Sequence, residues 1–190
     1  MNIGIFGGSF NPIHNGHILL AKQLLELARL DEIWFMVSPQ NPLKKQSDLL
    51  DDNMRMTLVT AALKEMPRLV ACDYELTLPR PSYSWNTMHS LSKTFPQHVF
   101  TIIIGGDNWQ CFPQWRNHEE LIADYAIAVY PRNGSTIDKS TLPPGVRLYD
   151  TRLIDVSSTQ IRRMIREGLS VDDLVPPVVA KIIADEKLYL

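Results

Sequence analysis

Two histidines three residues apart, His14 and His17, follow a glycine pair, Gly7-Gly8, with Ser9 and Phe10 in between. Imidazole N–H groups in such a place can donate to phosphate oxygens whose charge shifts as a leaving group departs. Glycines at the end of a strand let backbone N–H groups approach a phosphate closely. A helix that starts just beyond adds unpaired donors and a partial positive charge. On a helix an i, i+3 pair shares one face, so both rings are expected to point back at whatever the glycine turn holds. Two other readings stay open for the residues alone: a zinc pair, which lacks a third ligand at useful spacing, and histidines that merely cap and pack. The familiar phosphate loops are excluded. Gly4, Gly7 and Gly8 do not make GxGxxG, and no Gly-Lys-Ser/Thr closes a Walker loop.

A second group lies about 140 residues downstream, Ser157-Ser158-Thr159-Gln160-Ile161-Arg162-Arg163. Ser157 and Gln160 fit a capping box at a helix start. The same capped N-terminus, with Arg162 in its first turns, is also an anion site, since a guanidinium fork grips two phosphate oxygens at once. Between the two groups, Ile102-Ile103-Ile104 runs into Gly105-Gly106-Asp107. That places an acid and bare backbone at a strand's carboxyl end, where open α/β sheets bind ligands. The alternative is a turn in which Asp107 caps a helix.

The elements that must position these residues alternate. Strands are expected at 2–6, 33–37, 69–72, 98–104, 125–130 and 146–149, with Gly7-Gly8 ending the first. Helices are expected at 15–29, where apolar residues form one broad face, and at 51–65, 84–93, 157–167 and 178–186. Gly168 stops the fourth, and Pro176-Pro177 opens the last. Residues 131–144, rich in Ser, Thr, Gly and Pro, form the main loop, of a composition that favours mobility. Strands alternating with helices argue for α/β architecture, a doubly wound parallel sheet with helices on both faces. We expect a single domain over 1–190: an α/β core over 1–150 and a small helical C-terminal segment over 151–190.

At 190 residues, 45% hydrophobic and 21% charged, the chain has room for a core without staples. A net charge of −2 gives no global basic field, so nucleic acid is not an expected partner. Cys72 and Cys111 have no metal-type spacing and are expected as free thiols. With no ~20-residue apolar stretch and no signal-like N-terminus, no membrane association is expected and the cytoplasm is the expected location. Oligomeric state is open, a homo-oligomer included.

Gly8-Ser9-Phe10-x-Pro12-x-His14-x-Gly16-His17 resembles the signature of the nucleotidyltransferase superfamily, whose HxGH element is the analogue of HIGH in class I aminoacyl-tRNA synthetases. Within that superfamily the chain is similar to the nicotinate mononucleotide adenylyltransferases over residues 2–167, with Asn11 where Asp is common. The resemblance implies a Rossmann-like fold. It also implies adenylyl transfer from ATP to nicotinate mononucleotide, giving nicotinate adenine dinucleotide and pyrophosphate. His14 and His17 are then the catalytic pair. Gly7, Gly8, Ser9, Phe10, Gly105, Asp107, Ser158, Thr159 and Arg162 would bind ATP, with Gly106 replacing the usual alanine. Lys44, in Asn41-Pro42-Leu43-Lys44, would meet a phosphate; on its own, Lys44-Lys45 reads as a solvated loop tip.

Pro81-Ser82-Tyr83-Ser84-Trp85-Asn86-Thr87 resembles the family's Pro-Ser-Tyr-Thr-x-Asp-Thr. Trp115-Arg116 matches a family Trp-Tyr or Trp-Arg position. Tyr83, Ser84, Trp115 and Arg116 would thus bind the mononucleotide. An indole face suits a cationic pyridinium, and the polar setting of Trp109 and Trp115 favours their exposure. Mg²⁺ is expected through the ATP phosphates, with no metal site of the protein's own. Alternatives are nicotinamide mononucleotide as acceptor, another adenylyl- or cytidylyltransferase of the superfamily, and a nucleotide sensor without turnover.

Overall fold

The computed structural model describes residues 1–39, 49–152 and 154–190. Six strands, β1 (Asn2–Gly8), β2 (Glu32–Val37), β3 (Leu69–Cys72), β4 (Val99–Gly105), β5 (Ala126–Tyr130) and β6 (Val146–Leu148), form one sheet in the order β3-β2-β1-β4-β5-β6. Every pairing is parallel. The order reverses between β1 and β4. Crossovers leave β1 in opposite senses on its two sides, and a crevice opens beyond the carboxyl ends of this pair.

Seven helices cover the two faces: α1 (Asn15–Leu27), α2 (Asp52–Leu63), α3 (Ser84–Thr94), α4 (Gly106–Gln110), α5 (His118–Asp124), α6 (Ser158–Arg166) and α7 (Pro177–Asp185). Alternation along β1 explains how they divide. Ile3 and Ile5 point to the face that buries Met88 and Leu91 of α3 with Leu121 of α5. Phe6 points to the other, with Leu24 of α1, Leu58 of α2, Ile161 of α6 and Ile183 of α7. The C-terminal segment therefore shares the α1/α2 core, and Leu174 O accepts from Asn15 N–H at 2.9 Å.

Three expectations change. Gly7 and Gly8 do not break β1: the ladder continues through them, opposite Met36 and Val37. The helices α4 and α5 were not expected, because five and seven residues carry too few turns for an apolar period. The main loop contains a 3₁₀ turn at Lys139–Thr141, capped by the Asp138 side chain. Among the described residues no helix is long and apolar enough to cross a membrane.

Candidate active site

A cleft of about 570 Å³ lies over the carboxyl ends of β1 and β4. The β1–α1 loop is its floor, and this loop is held from below. Phe10 has φ +43°, a left-handed conformation unusual for a large residue, yet its ring is buried against Phe6 at 5.7 Å and Phe35 at 5.3 Å. The fully buried Arg55 donates to Ser9 O at 2.7 Å, Ser38 O at 2.8 Å and Leu50 O at 3.0 Å, and pairs with Asp52. From the other side Arg162 donates to Asn11 O at 2.9 Å, and Ser158 Oγ to Pro12 O at 2.8 Å. The two phosphate-type groups of the sequence are thus bonded to each other.

His14 and His17 do not sit as two residues of one helical face. His14 is the N-cap of α1, with β-region dihedrals, and His17 is the third helical residue. Each ring Nδ1 accepts from the other residue's backbone N–H at 3.3 Å, a capping box built from imidazoles. The rings stack at 3.6 Å with 22° between planes. An Nδ1 that accepts leaves the proton of a neutral ring on Nε2, so the box fixes the tautomer of both. Burial lowers the His14 pKa to about 3, with Arg132 adding to the shift. Burial also lowers His17 well below its ordinary value, helped by His14 and Arg132. Both rings are therefore neutral Nε2–H donors at neutral pH, and both line the cleft. Gly16 makes the stack possible: a Cβ there would stand 2.9 Å from His14 Nδ1.

Gly7, Gly8, Ser9, Phe10, Gly105, Ser158, Thr159 and Arg162 also line the cleft. Ser157 caps α6 by accepting from Gln160 N–H at 3.2 Å, as the capping reading expects. Arg162 lines this wall but is buried, and its Nε–H, shielded from solvent, has no hydrogen-bond partner. Asp107 stands apart. Gly105 is the cap position of α4, Asp107 lies inside the helix, and its exposed carboxylate faces Arg132 Nε at 3.7 Å; the neighbouring Asn108 lines the cleft instead. A Cβ on Gly106 would collide with Ser135 Oγ, so here even alanine needs the 132–135 turn to shift.

At the far end, Tyr83 and Ser84 open α3, and the Arg116 guanidinium lies 5.1 Å over the Tyr83 ring. Trp115 is half-buried rather than exposed, packed on Phe112 at 5.1 Å, and Trp109 stacks on the same ring at 5.1 Å. The polar neighbours that suggested exposure surround one buried phenylalanine. Lys44 lies outside the described residues.

Two charged cleft residues had no place in the sequence reading. Arg132 follows β5, lines the cleft and acts on the histidine pair through its charge; its position just past a strand's carboxyl end was the available signal. Glu75 is buried, and its carboxylate accepts from Ser38 Oγ at 2.7 Å, from Thr87 Oγ1 at 3.2 Å and from Ser82 Oγ. Nothing local marks it. Among the described residues no group of three or more His, Cys, Asp or Glu could hold a metal ion.

The cytidylyltransferase-like family model matches residues 5–164. A probable nicotinate-nucleotide adenylyltransferase of Bacteroides fragilis is 45% identical over 96% of this chain and 91% of its own. One of Cytophaga hutchinsonii is 42% identical over 100% and 98%. Among solved structures, the nicotinic acid mononucleotide adenylyltransferase of Plasmodium falciparum complexed with NaAD superposes with a TM-score of 0.81. It is 21% identical and covers 99% of this chain and 97% of that one, a likeness of fold.

Proposed function

The chain belongs to the cytidylyltransferase-like family and, within it, to the nicotinate-nucleotide adenylyltransferases, and from that premise we propose how its cleft works. The reaction is adenylyl transfer from ATP to nicotinate mononucleotide. The acceptor's 5′-phosphate oxygen forms a bond to the α-phosphorus. The bond from that phosphorus to the bridging oxygen breaks in line, and pyrophosphate leaves. No protein nucleophile is required, because the attacking phosphate is already anionic, so catalysis rests on positioning and on stabilising charge.

The observation that carries this reading is the imidazole capping box. It ties both Nδ1 atoms back to backbone and leaves two Nε2–H donors at a cleft wall shared with the Arg162 side chain. Neutral donors suit a centre whose charge moves during the reaction, since they stabilise the departing oxygens without locking onto them as salt bridges. His14 and His17 serve the α-phosphate and the bridging oxygen. Arg162, Ser158 and Thr159 hold the β- and γ-phosphates at the α6 N-terminus. Gly7, Gly8, Ser9 and Phe10 supply the floor and Gly105 the ribose and base side, which Asp107 would serve only by turning from Arg132. Tyr83, Ser84, Trp115, Arg116 and Lys44 form the acceptor end.

The histidines offer N–H donors rather than ring lone pairs, so the residues present fit a Mg²⁺ that arrives on ATP oxygens. When bound, it neutralises phosphate charge. The free thiols Cys72 and Cys111 suit a reducing cytoplasm.

Pyrophosphate release with ATP and Mg²⁺, run in parallel on nicotinate and nicotinamide mononucleotides, tests the reading. A preference for the acid is expected. Equal or reversed preference keeps the chemistry and changes the acceptor; silence with both overturns the assignment.

A further inference from the structure

Glu75 is a carboxylate buried at the wall of the cleft, and among the described residues no lysine or arginine pairs with it. A buried charge without a cation is held in place only where hydrogen bonds replace its lost water. Here they come from three hydroxyls on two pieces of chain, the end of β2 and the start of α3. Ser38, at the end of β2, donates to Oε2 at 2.7 Å, while Ser82 and Thr87 both donate to Oε1, Thr87 at 3.2 Å. An ionised carboxylate only accepts, so all three hydroxyls are forced to point inward.

The consequence falls on the residues between two of those donors. Tyr83 and Ser84 lie between Ser82 and Thr87, and Thr87 Oγ1 also contacts Tyr83 O at 3.3 Å. The Tyr83 side chain does no local capping of α3. Its half-buried ring carries the exposed Arg116 guanidinium at 5.1 Å. The start of α3 is thus anchored at its base by one carboxylate, while its upper side is free to meet a ligand.

We infer that Glu75 is the positioning residue of the acceptor end: it fixes Ser82–Thr87 so that Tyr83 and Ser84 meet the mononucleotide, and it acts through them without touching the phosphate chemistry. The inference rests on the acceptor reading above. The α1 and α6 termini that would hold ATP take none of their hydrogen bonds from Glu75. Loss of Glu75 should therefore separate the two substrates.

The test is steady-state kinetics on the full chain, with both substrates varied. Wild type comes first, and its failure to use nicotinate mononucleotide would sink the functional reading, not this one. Glu75→Ala is expected to raise KM for the mononucleotide at least tenfold while KM for ATP stays within twofold. Glu75→Gln keeps an oxygen acceptor for Ser82 and Thr87 and should recover to within about threefold of wild type. Ser82→Ala, a milder cut, should raise only the mononucleotide KM by a few-fold, and it serves if Glu75→Ala does not fold. A mononucleotide KM that stays put in Ser82→Ala, or KM values for both substrates that rise together in either variant, would overturn the positioning role.

Discussion

The two ends of the cleft are built on different principles. At the phosphate end the polar groups are locked into backbone: Arg55 and Arg162 donate to loop carbonyls, Ser158 Oγ donates to Pro12 O, and each histidine Nδ1 accepts from the other residue's backbone N–H. At the acceptor end side chains meet side chains: buried Glu75 with three hydroxyls, and exposed Arg116 with the half-buried Tyr83 ring. The first arrangement fixes donors to a fraction of an ångström before substrate arrives, which transition-state stabilisation needs. In the second, the exposed Arg116–Tyr83 contact can change partners with little cost to the fold. Chemistry is thus placed on the rigid end and acceptor choice on the adjustable one.

Four outcomes would sharpen or break this contrast. The largest is for Arg55→Met. It strips the donor from Ser9, Ser38 and Leu50 carbonyls and from Asp52, and is expected to cost about 3–5 kcal/mol of stability. Urea unfolding measures it, and a loss below ~1 kcal/mol would mean that the loop is held by something else.

Next, His17→Ala removes one Nε2–H donor and should lower kcat at least ~10²-fold with little change in mononucleotide KM. Near-normal turnover would remove the histidine pair from the chemistry.

Acid should act on the same end. With its folded pKa about 3 against an ordinary ~6.5, His14 gives its full stability above pH 6.5 and loses it progressively as pH falls toward 3. The unfolded chain takes up the proton that the buried ring refuses. Between pH 6.5 and 5 that amounts to about 2 kcal/mol, and His17 shifts in the same direction. A stability profile measured by denaturant that is flat over this range would contradict neutral, buried rings.

The smallest effect belongs to the acceptor end. Arg116→Ala removes a cation–π contact worth about 0.5–1 kcal/mol, so mononucleotide KM should rise about two- to fivefold, with ATP KM unchanged and the melting temperature lowered by no more than about 2–4 °C. A large loss of stability here would erase the contrast between the ends.

Much of the fold was legible because its signals are local. Each expected strand and helix is present to within a few residues, from strand–helix alternation, apolar faces and the Ser157 cap. The elements missed are those too short for a period to show, α4, α5 and three 3₁₀ turns. The candidate site was legible in part. The glycine turn, the histidines and the Ser157–Arg162 stretch line one cleft, as do Tyr83, Ser84, Trp115 and Arg116. Helical spacing suggested the wrong reason for the histidine pair, since an N-cap residue has left the helix and its ring meets the next by capping instead.

The sequence by itself determined what each segment is: a β-rich run, an amphipathic helix, a capped N-terminus, a phosphate-type turn. Such properties depend on neighbours a few residues away. Tertiary structure alone decided which segments share a wall. Arg162 reaches a carbonyl 151 residues distant, Ser158 one 146 residues distant, and Glu75 gathers hydroxyls from β2, the loop before α3, and α3 itself. Those meetings follow from the strand order β3-β2-β1-β4-β5-β6, which brings the carboxyl ends of β1 and β4 together. No spacing along the chain encodes that order. It is set by which pairing buries both faces of the sheet under right-handed crossovers.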